Sequence, residues 1–172
     1  MSAFAIPVHA IYEELFDAAE KGEVEPFQRM EGNTAFDINF GGGKLGTTYL
    51  MGGAVYGRQP FVSYLLGRGA IVDKRNEVGW TALLLSVNND HVEVSRLLLE
   101  SGADPSVQPY DKEKFAFPIY NAVQHNNPEM CELLLKHGAD IDMKYNGMTS
   151  LQHATRNPRK VHQYRQDIAS RN

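Results

Sequence analysis

The chain has 172 residues, 42% of them hydrophobic and 22% charged, which provides for a buried core and excludes both a disordered and a collagen-like chain. A net charge of -4, from 17 Lys and Arg against 21 Asp and Glu, excludes a surface built throughout to hold nucleic acid. A lone cysteine, Cys131, excludes an intramolecular disulfide, a thiolate zinc cage and a CxxC redox pair, and points to a reducing compartment.

Charge is polarised along the chain. Between 144 and 172, Lys144, Arg156, Arg159, Lys160, Arg165 and Arg171 stand against Asp167 alone, a net of +5 that leaves -9 for residues 1–143. Residues 1–31 hold seven acids against Lys21 and Arg29. The longest uncharged stretch, Phe115 to Pro128, contains Asn, Gln and His and falls short of the roughly 18 apolar residues of a membrane-spanning helix. The first charged side chain is Glu13, so the opening lacks the basic start of a secretory signal. A cytoplasmic location is the expectation, although a mature secreted chain trimmed before residue 1 would read the same.

The elements follow a period. Leu65-Leu66-Gly67-Arg68-Gly69-Ala70 recurs as Leu98-Leu99-Glu100-Ser101-Gly102-Ala103 and as Leu134-Leu135-Lys136-His137-Gly138-Ala139, with glycine spacings of 33 and 36. A second phrase, Gly-x-Thr-x-Leu, keeps step at Gly46–Leu50, Gly79–Leu83 and Gly147–Leu151. A fixed period decides the architecture before any single element does. Five units of about 10–41, 42–75, 76–108, 109–144 and 145–172 make one domain spanning residues 1–172.

In chain order, Leu15 to Asn39 reads as a worn first unit with Ala18-Ala19, Gly22 and a closing Asp37-Ile38-Asn39. Later units read as two short helices. In the third, Leu83, Leu84 and Val87 share one helical face, Asn88, Asn89 and Asp90 break the chain, and Val94, Leu97 and Leu98 repeat the spacing. Gly102 stands where a left-handed residue ends the second helix. The threonines are natural N-caps, and Pro26, Pro60, Pro128 and Pro158 open second helices, where a missing amide costs little. The last unit starts in step and then drifts, keeping Val161, Tyr164 and Ile168, as a terminal unit facing water on one flank should.

These motifs resemble the ankyrin-repeat family: the Gly-x-Thr-x-Leu opening, the paired leucines, and the endings Gly102-Ala103-Asp104 and Gly138-Ala139-Asp140. The second unit departs with Ile71 where the family has Asp, and the fourth with Phe117-Pro118-Ile119-Tyr120 in place of Thr-Pro-Leu-His and three extra residues before it. The resemblance implies an all-α solenoid of about five helix-turn-helix units with degenerate terminal caps. It also implies a protein that binds a partner protein through turns that project as fingers and through a concave face of first helices.

No chemistry competes strongly with that reading. Gly41-Gly42-Gly43-Lys44-Leu45-Gly46-Thr47-Thr48 lacks the Lys-Ser/Thr pair and preceding strand of a phosphate loop, and reads as a mobile glycine-rich turn. The six histidines include no pair four apart, His91 and His137 sit where the family habitually has histidine, and Cys131 falls among core positions. No catalytic set, metal or cofactor is expected, and the chain reads as a non-enzyme.

Carried over position by position, the resemblance implies that a partner is met by Arg75, Glu77, Val78 and Trp80 of the third finger and by Val55, Tyr56, Asn88, Asn89, Gln124 and His125 of the concave side. Lys44 and Leu45 belong to the second finger. Tyr110, Lys112, Lys114 and Phe115 in the lengthened fourth finger and Tyr145 in the last extend the edge. Trp80, between a turn glycine and a capping threonine, is expected to project outward as an anchor. Gripping one enzyme, which would inhibit or shield it, stands beside an adaptor role joining two proteins. The basic end reads first as a solvated cap, then as a protein contact, and last as a nucleic-acid or anionic-surface contact.

Overall fold

The computed structural model describes residues 8–111 and 116–155. Nine helices lie among them: α1 (Val8–Lys21), α2 (Glu25–Arg29), α3 (Tyr49–Val55), α4 (Gln59–Gly67), α5 (Ala82–Asn88), α6 (Val92–Glu100), α7 (Pro118–Gln124), α8 (Pro128–Lys136) and α9 (Ser150–Thr155). Two short antiparallel hairpins interrupt them, β1 (Gly41–Gly42) with β2 (Thr47–Thr48), and β3 (Lys144–Tyr145) with β4 (Met148–Thr149). Odd-numbered helices form an inner row, α1 on α3 on α5 on α7 on α9, and α4, α6 and α8 form an outer row. This is the all-α solenoid of stacked helix pairs that the family resemblance implies. Pro158, Val161, Tyr164 and Ile168 of the last unit lie outside the described residues.

Capping explains the recurrence of the motifs. Thr48 and Thr81 are extended residues whose hydroxyls accept from Met51 N and Leu84 N, each at 3.3 Å. At Thr149 the cap is reciprocal: its hydroxyl accepts from Gln152 N while the Gln152 side chain accepts from Thr149 N at 2.9 Å. Gly69, Gly102 and Gly138 end the outer helices at φ 87°, 90° and 93°, a region in which a Cβ is strained. Inner helices end on Gly22, Gly57, Asp90 and Asn126, again at positive φ. These four residues mark equivalent places in successive units.

The glycine-rich stretch is not merely a mobile turn, since Gly41 and Gly42 pair with Thr48 and Thr47 in the first hairpin. In the first unit the inner helix is long, 14 residues, and the outer helix short, five. Counting back from Gly22, helix α1 runs through the place that a finger takes in later units.

The core is one cluster running through the stack, from Leu15 and Phe27 through Leu83 and Leu98 to Leu134 and Ala154. Its first part is aromatic. Phe27, 1% exposed, meets Tyr49, Phe61 and Phe36 at ring-centroid distances of 5.0, 5.1 and 6.2 Å. Phe16 packs on Tyr49 at 4.6 Å.

Tyr49 is fully buried and its hydroxyl has no hydrogen-bond partner among the described residues. Burial, with Tyr12 and Asp37 adding to it, drives its pKa well upward. A buried polar atom without a partner costs about 1–3 kcal/mol. Tyr49→Phe is therefore expected to leave thermal stability unchanged or raise it, read as the midpoint of a circular-dichroism melt.

Polar atoms order the turns within units and also join one unit to the next. Asp37, Asp104 and Asp140 each accept from the amide two residues on, at 2.8, 2.8 and 2.9 Å, whereas Ile71 at the equivalent place cannot and is 52% exposed. A second row crosses between units: Asn39 accepts from Ile71 N at 2.7 Å, Asp73 from Asp104 N, and Ser106 from Asp140 N at 3.4 Å.

Partial burial raises the Asp73 pKa above its ordinary 3.8, and the Asp104 charge adds to this, while the Asp104 amide and Arg75 pull the other way. A carboxylate with a raised folded pKa contributes stability that is complete below its unfolded pKa and lost as pH rises through the folded value. Asp73→Asn keeps the acceptor and removes the charge. The variant is expected to match or exceed the parent at pH 7 by under about 1 kcal/mol, with the gap closing as pH falls through the carboxylate range. Urea unfolding across that range reads both the sign and the closure.

Candidate functional site

Beneath the finger row, along the inner helices, lies a groove of about 290 Å³. Its position follows from the repeat frame. Counting back from the left-handed residues Asp90 and Asn126, the places ten, six and five residues earlier are Trp80, Leu84 and Leu85 in the third unit and Ala116, Tyr120 and Asn121 in the fourth. All six line the groove, joined by Asn88 and Tyr145. The lining carries no charged side chain. Tyr120 and Tyr145 meet at 4.7 Å between ring centroids, His153 stands edge-on to Tyr120 at 5.1 Å, and its Nε2 lies 2.8 Å from Tyr145 O. Burial, with Tyr145 beside it, raises the Tyr120 pKa.

Trp80 corrects the expectation of an outward anchor. It is half-buried and packed against the core, on a backbone pinned at both ends: Trp80 N donates to Asn76 Oδ1 at 2.9 Å and Trp80 O accepts from Asn76 N at 3.1 Å. A large indole lowers its free energy by lying along the groove wall rather than in water.

Arg75, Glu77, Val78 and Tyr110 hold the finger row together. Glu77 N donates to Leu45 O at 2.9 Å and Tyr110 N to Val78 O at 3.1 Å, linking second to third and third to fourth fingers. Arg75 donates to Gln108 O at 3.0 Å and lies over the Tyr110 ring at 5.7 Å. Tyr110 closes on Gly79, whose missing Cβ would stand 2.7 Å from Tyr110 N.

The remaining expected residues sit at helix ends, outside the lining of the groove. Tyr56 is exposed and follows α3, and His125 is exposed and follows α7. Gln124 is the last residue of α7. Asn89 turns its amide back on Leu85 O at 2.8 Å, and Val55 is half-buried with its carbonyl 2.9 Å from His91 Nε2. Lys112, Lys114 and Phe115 lie outside the described residues, as do Arg156, Arg159, Lys160 and Arg165 of the basic end.

The structure thus gathers Trp80, Asn88 and Tyr145 and adds Leu84, Leu85, Tyr120 and Asn121, which composition alone does not separate from core positions. Counting back from the helix-ending residue is the signal that finds them. Among the described residues no group of three or more His, Cys, Asp or Glu could hold a metal ion, and no helix is long and apolar enough to cross a membrane.

Comparison with known proteins decides the family. Residues 15–109 and 108–164 match the family described as ankyrin repeats (3 copies). The chain belongs to the ankyrin-repeat family. It is 35% identical over 88 residues to human ankyrin repeat and KH domain-containing protein 1, covering 51% of this chain and 3% of that one. Against the mouse B-cell lymphoma 3 protein homolog it is 38% identical over 85 residues, covering 49% and 18%, and against human 2-5A-dependent ribonuclease 38% over 84 residues, covering 48% and 10%. The matched stretch is thus under a fifth of each relative's length. Ankyrin repeats are in general non-catalytic modules of protein–protein interaction.

Proposed function

We propose that this ankyrin-repeat chain is a non-catalytic binding module that holds a segment of a partner protein in the groove between its third and fourth units. The carrying observation is the lining: three aromatic side chains and two primary amides with no charge. Aromatic walls bury apolar side chains of an occupant, while Asn88 and Asn121 can donate to and accept from its backbone. The finger row supplies the upper edge. An interface of ordinary size covers on the order of 800 Å² on each side, so the groove is its centre and the exposed helix-end residues Tyr56 and His125 its rim. A partner enzyme held this way is shielded wherever the chain covers it.

The test is a titration. A partner captured from native lysate is purified and its affinity measured against the parent, against Trp80→Ala with Tyr120→Ala, and against Glu93→Gln with Glu100→Gln on the outer face of α6. Loss confined to the first pair supports the groove. Equal affinity for both variants, or loss confined to the outer pair, contradicts it. If the partner is an enzyme, the same titration run with its substrate reads shielding as lost turnover.

A further inference from the structure

A second groove, of about 780 Å³, lies between the first unit and the first hairpin, and the repeat frame makes it the counterpart of the first. Counting back from Gly22 as from Asp90, the places of Trp80, Leu84, Leu85 and Asn88 are taken by Tyr12, Phe16, Asp17 and Glu20, all four of which line it. The chemistry at the same places has changed. Where the third unit presents Leu85 and Asn88, the first presents two carboxylates, and Glu13 joins them one helical turn before Asp17. Residues 8–25 carry six acids against Lys21 alone, so this wall is net acidic even with Lys21 paired to Asp17. Opposite stand Lys44 and the backbone of Gly42 and Gly43; at Gly43 a Cβ would find nothing within 4 Å. The floor is apolar: Tyr12 stacks on Phe40 at 3.9 Å, Phe16 lies 6.4 Å from Phe40, and Leu45 is 40% exposed.

We infer that this acidic-walled aromatic groove binds an arginine- or lysine-bearing, amphipathic segment of a partner protein. Carboxylates along one wall neutralise and steer cations. Stacked aromatic faces accept guanidinium and ammonium groups, and the floor takes the leucine-like or aromatic side chains that alternate with them. An acidic segment is repelled, and a small cation leaves the apolar floor in water. The inference rests on the inner face being where partners lie, and it adds a second register of opposite selectivity to the neutral groove.

The probe is a short, dye-labelled, helix-forming peptide with arginines on one face and leucines on the other, compared with its glutamate-for-arginine counterpart by fluorescence anisotropy against the whole chain. The arginine peptide is expected to bind and the glutamate peptide not. Glu13→Gln with Asp17→Asn and Glu20→Gln is expected to weaken binding at least about tenfold and to flatten its salt dependence. Leu45→Ala is expected to weaken it about threefold, and Glu93→Gln with Glu100→Gln and Glu132→Gln on the outer helices to change it less than about twofold.

Equal loss in the two triple variants, or no effect of Leu45→Ala, reduces the result to net charge and overturns the proposal. So does equal binding of both peptides, or of neither. Concentration-dependent self-association in sedimentation velocity, abolished by the first triple variant, would assign the groove to the basic end of a second copy instead. Trp80→Ala with Tyr120→Ala is expected to spare the peptide, so failure of the neutral groove is read separately from failure of this one.

Discussion

Phe27→Ala is expected to cost about 3–5 kcal/mol, the range for truncating a buried aromatic, and to unfold the first unit ahead of the rest. Phe27 is the one aromatic of the five-residue α2, and its ring bridges Tyr49 of α3 and Phe61 of α4. Without it, α2 loses the ring that ties it to α3 and α4, and α1 is left packed on α3 without its outer partner. Each unit of a solenoid is held only by its neighbours, and the first has a described neighbour on one side only. The loss should therefore appear as a second, earlier transition in urea unfolding, with amide exchange accelerated in α1 and α2 and little changed in α5 to α8. A single transition at the parent midpoint would show that the aromatic cluster does not couple the first unit to the second.

Trp80→Ala carries the second large effect, on binding. Buried aromatic anchors at the centre of an interface cost about 2 kcal/mol or more on truncation, roughly thirtyfold in affinity. Trp80 lies between the groove and the core, so part of its removal is felt as stability. Trp80→Phe separates the two, since it retains much of the packing while shortening the wall, and is expected to lie between parent and alanine in affinity with a nearly unchanged melt. Rim replacements such as Tyr56→Ala are expected to stay within about 0.5 kcal/mol. Affinity falling at Tyr56 and not at Trp80 would move the interface from the groove to the helix ends.

What was legible in the letters was what backbone geometry demands at fixed places. Gly69, Gly102 and Gly138 recur because a left-handed residue must end each outer helix, and Thr48 and Thr81 recur because an orphan amide must be capped. The inner-face leucines were not separable, because Leu83, Leu84 and Leu85 form one apolar run. Leu84 and Leu85 come to line the groove only through stacking against Tyr120 and Asn121 a unit later. Trp80 misled for a related reason: its place between a turn glycine and a capping threonine fixes the backbone and not the side chain, which packs half-buried against the core. Asn89 and Val55 fall where the family resemblance implies a contact surface, yet the Asn89 amide and the Val55 carbonyl are already bonded within the fold.

The most direct measurement is a hydrogen-exchange footprint of the chain with a purified partner bound. Protection concentrated in Trp80–Asn88 of the third unit, Ala116–Gln124 of the fourth and the last hairpin is the predicted pattern, with α4, α6 and α8 exchanging as in the free chain. Protection confined to those outer helices would contradict it.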